Sequence, residues 1–115
     1  MDKLPDFASA VIPASKLRYC LDESHPTGAH KARVFRSALG IDITQTHVLE
    51  RMLGHGISTH GGIRKLTFID GTERWVVEWT ILGRLGSLRL VSAWDYRRQE
   101  HAPRLVSCYL KKVKR

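Results

Sequence analysis

Apolar side chains recur at helical spacing in the first half of the chain and alternate in the second. Leu17, Cys20 and Leu21 carry the period over residues 13–22, which predicts a short helix opened by Pro13 and ended before Pro26. Ala32, Phe35 and Leu39, with Val34 and Ala38 beside them, predict a second helix over residues 28–39, capped by Thr27 and closed by Gly40. His47, Val48, Met52 and Leu53 predict a third, started by Asp42 or Thr44 and ended by Gly54 and Gly56. Residues 1–12 read as an irregular lead-in, and GHGISTHGG reads as a loop.

After that loop the period falls to two. RKLTFI and TERWVVEWTIL flank Asp70-Gly71 and predict a hairpin. GRLG makes the next turn, SLRLVSAWDYR a third strand, RQEHAP a turn and RLVSCYLKKV a fourth strand. Pro103 suits a strand start. The expected architecture is an α+β single domain over residues 1–115, with three N-terminal helices packed on a four-stranded antiparallel meander. Trp75, Val77, Trp79 and Ile81 alternate onto one face, expected to meet the helices. Arg74, Glu78 and Thr80 share the other with Val76 and Leu82, a semi-polar face that suits either solvent or a bound polyanion. The tetrapeptide RLVS occurs at 89–92 and again at 104–107.

Charge adds a functional direction to this frame. Lysine and arginine number 19 against 11 aspartates and glutamates, a net charge of +8. A field of that sign favours polyanions, nucleic acid above all. No apolar run approaches the roughly 18 residues of a membrane span. Asp2, Pro5 and Asp6 interrupt any signal-peptide core. The expected setting is cytoplasm, either the producing cell's own or that of a target cell. Cys20 and Cys108 sit among apolar residues and read as buried free thiols, not as a disulfide framework. Neither a P-loop, a Rossmann fingerprint nor a G-x-S-x-G elbow occurs. His47, His55 and His60 lack metal-ligand spacing, so neither a metal nor another cofactor is expected.

The second helix carries the candidate chemistry. His30, Lys31 and Arg33 crowd its start, where the helix dipole disfavours cations. Arg33 and His30 fall on the polar side of the wheel or its edge. Lys31 falls between Phe35 and Ala38, on the stripe expected to face the sheet. Such a lysine either snorkels to water or faces an anion in a partly buried site. His25 precedes it in the feeding loop and could move a proton near neutral pH. Tyr109, Ser92 and Ser107 on the strands could add hydrogen bonds. The three tryptophans read as core, while Trp94 and Tyr96 near a strand end also suit base stacking.

Ile12, Pro13, Lys16, Leu17 and Tyr19, followed by His25, Pro26, Gly28, Lys31, Ala32, Phe35 and Gly40, carry a family resemblance. They resemble the I-P-x-x-K-L and H-P-x-G-x-x-K-A motifs of an uncharacterised bacterial family, found as small stand-alone proteins and at the ends of polymorphic toxins. Trp79 with one RLVS copy, or the second copy with Tyr109, is similar to the family's closing strands. The helices-then-meander order resembles, at the level of fold, the metal-independent ribonucleases of the barnase, colicin and RelE types.

The expectation that follows is a toxin-type, metal-independent endoribonuclease-like domain. Lys31 would stabilise transition-state charge, and His25 or His30 would transfer protons. Arg89 or Arg104 would clamp phosphate, with Lys16 and Arg33 as further phosphate contacts. Tyr109 and Ser107 would orient the substrate, with Ser92 as a further contact. RNA or another polyanion is the expected partner, along with an acidic antitoxin or immunity protein. A non-catalytic nucleic-acid or phosphate-binding module, and an interaction domain with an acidic partner, remain alternatives.

Overall fold

The computed structural model describes residues 2–113. It has three α-helices: α1 (Ala14–Leu21), α2 (Ala29–Leu39) and α3 (Thr46–Thr59). Four strands follow: β1 (Gly62–Thr67), β2 (Glu73–Gly83), β3 (Gly86–Tyr96) and β4 (Arg104–Lys112). They form one antiparallel sheet in the order β1-β2-β3-β4, the expected α+β meander. Helices α1 and α2 pack over β4, and α3 packs over β2.

The inner face of the sheet follows the alternation in the sequence. Trp75, Val77 and Trp79 on β2 are buried, as are Leu88, Leu90 and Trp94 on β3 and Leu105, Cys108 and Leu110 on β4. Leu17, Cys20 and Leu21 of α1, Phe35 and Ala38 of α2, and Leu49, Leu53 and Ile57 of α3 close over them in one core. The α1 period buries its own stripe and α2 buries Ala32, Phe35 and Ala38, but in α3 the expected stripe is shifted: Leu49, Leu53 and Ile57 face inward, Val48 and Met52 are half-buried and His47 is exposed.

Two turns behave as their residues dictate. Gly71 adopts φ 90° in the β1–β2 turn, and Gly40 ends α2 at φ 71°, both left-handed positions where glycine avoids a Cβ clash. The Arg84 side chain packs closely over Gly40, and its amide donates to the Ala38 carbonyl. This contact ties the β2–β3 turn to the end of α2.

Three local expectations are corrected. Gly54 and Gly56 do not end α3, which runs through both to Thr59; GHGIST is therefore helix rather than loop. Gly56 is there because the Trp79 ring lies against its Cα, where a Cβ would overlap the indole. Close packing, not a turn, selects that glycine. Asp42 caps the 3₁₀ turn Ile43–Gln45 ahead of α3, accepting from the Thr44 amide in a capping box with Gln45. Thr27 does not cap α2; Gly28 takes the cap position without a side-chain bond. The lead-in is also more ordered than its composition suggests. Val11 pairs with the start of β4 through its amide to Pro103 and its carbonyl to Leu105.

Candidate functional site

The α1–α2 connection builds the site. Asp22 accepts from both the amide and the hydroxyl of Ser24, at 2.9 and 2.6 Å, so the chain reverses directly after α1. Those bonds hold the Asp22 carboxyl below its usual range. The reversal returns the start of α2 to the flank of α1. Gly28 then lies under Tyr19, where an added Cβ would stand 3.3 Å from the ring carbon bearing the hydroxyl. The His25 ring meets Tyr19 edge-on, with centroids 4.7 Å apart. His25 Nδ1 accepts from the Thr27 amide at 3.2 Å.

The edge strand β4 supplies the other wall. Tyr19, Cys20, Thr27, Gly28 and Lys31 face Ser107 and Cys108 across a cleft of about 90 Å³. That is far below the roughly 300 Å³ at which ordinary small-molecule pockets begin. The cleft therefore suits a compact group rather than a whole nucleoside. A larger hollow of about 710 Å³ lies beside Val34, Leu85, Leu88 and Lys112, and Lys112 is the only charged group lining it among the described residues.

Lys31 leaves the helix–sheet interface. Its side chain is exposed, and its ammonium lies 4.5 Å from the centroid of the Tyr109 ring. Tyr109 pairs with Val91, which pairs with Glu78, so Tyr109 belongs to the outer face of the sheet. Lys31 thus reaches past the edge of β4 and rests on an aromatic face, a favourable place for an ammonium. Of the two positions the sequence allowed, the side chain takes the snorkelling one, and its ammonium emerges beside the cleft.

Cys20 and Cys108 form the cleft floor. Both are buried and free, and the Cys108 thiol donates to Cys20 Sγ at 3.4 Å. That hydrogen bond, a backbone bond from Cys108, and the nearby charges of Lys16 and Lys31 together draw the Cys20 thiol down to about 7, against the opposing effect of burial. The same pairing and burial push the Cys108 thiol up. Sequence reading identified both as buried thiols but not as neighbours. The one available signal was that each lies on the apolar face of its element.

The remaining candidates are dispersed. His30 and Arg33 are exposed on α2, and neither makes a side-chain ion pair or hydrogen bond among the described residues. Lys16 is exposed on α1 and acts on the cleft through its charge. Ser107 lines the cleft, while Arg104 is exposed at the start of β4. Arg89 lies on the outer sheet face, bonded to Thr80 at 3.2 Å and paired with Glu78 at 3.4 Å. Glu78 also takes Lys111, and Arg74 pairs with Asp95, so these three cations of the outer face each have a carboxylate neighbour.

Three strand residues prove structural. Ser92 is fully buried; its hydroxyl donates to the Val77 carbonyl at 2.7 Å and accepts from Trp94 Nε1 at 2.9 Å. Its hydrogen-bonding capacity is spent inside the core, and it offers no phosphate contact. Trp94 is equally enclosed, and buried Tyr96 donates to the Asp6 carboxylate. Neither ring offers a face to a base. No group of three or more His, Cys, Asp or Glu side chains among the described residues is placed to hold a metal ion. Nor is any described helix long and apolar enough to cross a membrane.

No curated protein and no solved structure matches this chain. A family model described as a domain of unknown function (DUF6883) matches residues 3–112, from the lead-in to the last strand. The chain therefore belongs to the DUF6883 family.

Proposed function

We propose that the protein binds the phosphodiester backbone of RNA at the α1–α2–β4 cleft, with Lys31 as the principal cation. The observation that carries this reading is the placement of Lys31. It is exposed, rests on the Tyr109 ring with no carboxylate partner among the described residues, and stands at the mouth of a cleft sized for one compact group. Lys16 adds positive potential from α1, and Ser107 adds a hydroxyl. Tyr19 and Tyr109 flank the entrance and suit stacking against bases. The +8 charge supplies long-range attraction.

The toxin-type endoribonuclease is the catalytic form of the same reading, and one observation bears on its mechanism. His25 Nδ1 already accepts a hydrogen bond from Thr27, so a neutral His25 carries its proton on Nε2. In that tautomer it can donate to a leaving oxygen, but its only lone pair is engaged. Binding needs no such rearrangement, whereas general-base catalysis requires the Thr27 bond to break. This favours the binding module over the nuclease.

Fluorescence anisotropy with a labelled single-stranded RNA tests the proposal, with cleavage followed in the same samples containing EDTA. The proposal expects salt-sensitive binding that weakens in Lys31→Gln and persists in Arg51→Gln, a change to an exposed cation on α3. Cleavage lost in both Lys31→Ala and His25→Ala would establish the nuclease form. Equal binding by wild type and Lys31→Gln would overturn the site.

A further inference from the structure

Cys20 on α1 and Cys108 on β4 are brought together only by the packing of helix on edge strand. Their sulfurs are 3.4 Å apart, and a disulfide needs about 2.05 Å, so a shift of little more than one ångström joins them. Both belong to the core, yet both also border the cleft that opens beside Lys31. A buried pair with a purely packing role has no need to border a cleft flanked by cations.

We propose that Cys20 and Cys108 are a thiol pair that reacts with small hydroperoxides, Cys20 attacking and Cys108 resolving, to form a reversible disulfide between α1 and β4. The roles follow from the asymmetry of the pair. Cys20 accepts the hydrogen bond from the Cys108 thiol and lies near Lys16 and Lys31, so it is the sulfur that ionises more readily. Cys108 donates and keeps its proton. The thiolate is the nucleophile in such chemistry.

The steps balance without any other oxidant. The Cys20 thiolate attacks the terminal oxygen of the hydroperoxide; the S–O bond forms, the O–O bond breaks, and the alkoxide or hydroxide leaves and takes a proton from water. Cys20 is then a sulfenic acid. Cys108 sulfur attacks Cys20 sulfur; the S–S bond forms, the S–O bond breaks, and the departing hydroxide takes the Cys108 proton as water. One hydroperoxide is reduced to an alcohol or water, and two thiols are oxidised. A dithiol reverses the bond by exchange. The small cleft admits hydrogen peroxide and excludes bulky oxidants.

The test is exposure of the dilute, fully reduced protein to hydrogen peroxide, followed by intact-mass and peptide mapping. Wild type should lose two hydrogens, with Cys20 linked to Cys108 within one chain, and dithiothreitol should restore the original mass. Cys108→Ser should instead gain one oxygen on Cys20, and Cys20→Ser should leave Cys108 reduced at the same dose, a difference in rate of more than tenfold. Circular dichroism of each variant separates loss of reactivity from loss of fold, and the wild-type result stands without either variant. The proposal is overturned if wild type keeps both thiols under peroxide that oxidises free cysteine. It is also overturned if the only disulfides join different chains, or if Cys108 oxidises as fast as Cys20.

Discussion

The Lys31 ammonium rests 4.5 Å from the centroid of the Tyr109 ring, with the two side chains meeting around the edge of β4. A lysine on the apolar stripe of a helix is ordinarily a packing liability. Here the stripe ends at an edge strand, so the butylene stem covers apolar surface while the charge emerges at a cleft. Most other cations of the protein fall into two groups: those matched to carboxylates on the sheet, such as Arg89 and Arg74, and those scattered over the surface.

Removing the Lys31 charge should therefore affect binding more than stability. Lys31→Gln is expected to lower RNA affinity about tenfold at low salt. It should reduce the slope of log affinity against log salt by roughly 0.7, the value for one phosphate contact on a single strand. Melting should move little, because an exposed cation–π contact contributes only about 0.5–1 kcal/mol. Anisotropy titrations at several salt concentrations give the slope directly.

The two glycines of α3 should respond oppositely to the same change. Nothing lies within 4 Å of a Cβ added at Gly54, so Gly54→Ala is expected to stabilise by about 0.5–1 kcal/mol through helix propensity. Gly56→Ala would drive a methyl into the Trp79 ring and should cost about 1–3 kcal/mol or more. Urea unfolding of the two variants checks the contrast, and equal shifts would contradict the packing described.

Ser92→Ala should destabilise although it removes only one oxygen. It leaves Trp94 Nε1 without its partner inside the core and takes a donor from the Val77 carbonyl. An unsatisfied buried donor costs about 1–3 kcal/mol. RNA binding measured well below the melting temperature should be unchanged, because Ser92 has no exposure to the cleft or to solvent.

The Cys20 thiol should show its depressed ionisation in its reactivity. The rate of modification by methyl methanethiosulfonate, a small thiol reagent, is expected to rise through pH about 7 and flatten above it, not to keep rising toward the ordinary thiol value of 9.0. The linked stability has a definite sign. The folded Cys20 value lies below the unfolded one, so this group's contribution is full above pH 9.0 and is lost as pH falls through about 7. Cys108, raised in the fold, acts oppositely: its contribution is full below its unfolded value and is lost as pH rises through its higher folded value. Melting curves of wild type and Cys20→Ser across that window, under reducing conditions, separate the two.

Much of the fold was legible because the determining patterns are local. Trp75-Val77-Trp79 alternation, the Asp70-Gly71 turn and the Leu17-Cys20-Leu21 period each report a face or a reversal within one element. The misreading of Gly54 and Gly56 shows where local reading stops. A glycine required by a distant indole looks the same in sequence as one required by a turn. Ser92 illustrates the same limit, since its partners Val77 and Trp94 become visible only once the strands are in register. The site was half legible. The helix wheel put Lys31 in an unusual position, but the edge of β4, the Tyr109 ring and the Cys20–Cys108 contact arise from packing between segments remote in the chain.

The most direct test of the central claim is an amide chemical-shift map of the protein titrated with a short single-stranded RNA. The account predicts the largest changes at Thr27, Gly28, Lys31 and Ser107, saturating together with one affinity and vanishing in Lys31→Gln. Changes centred instead on Arg89, Thr80 and Lys111 of the outer sheet face, or the absence of any saturable change, would contradict it.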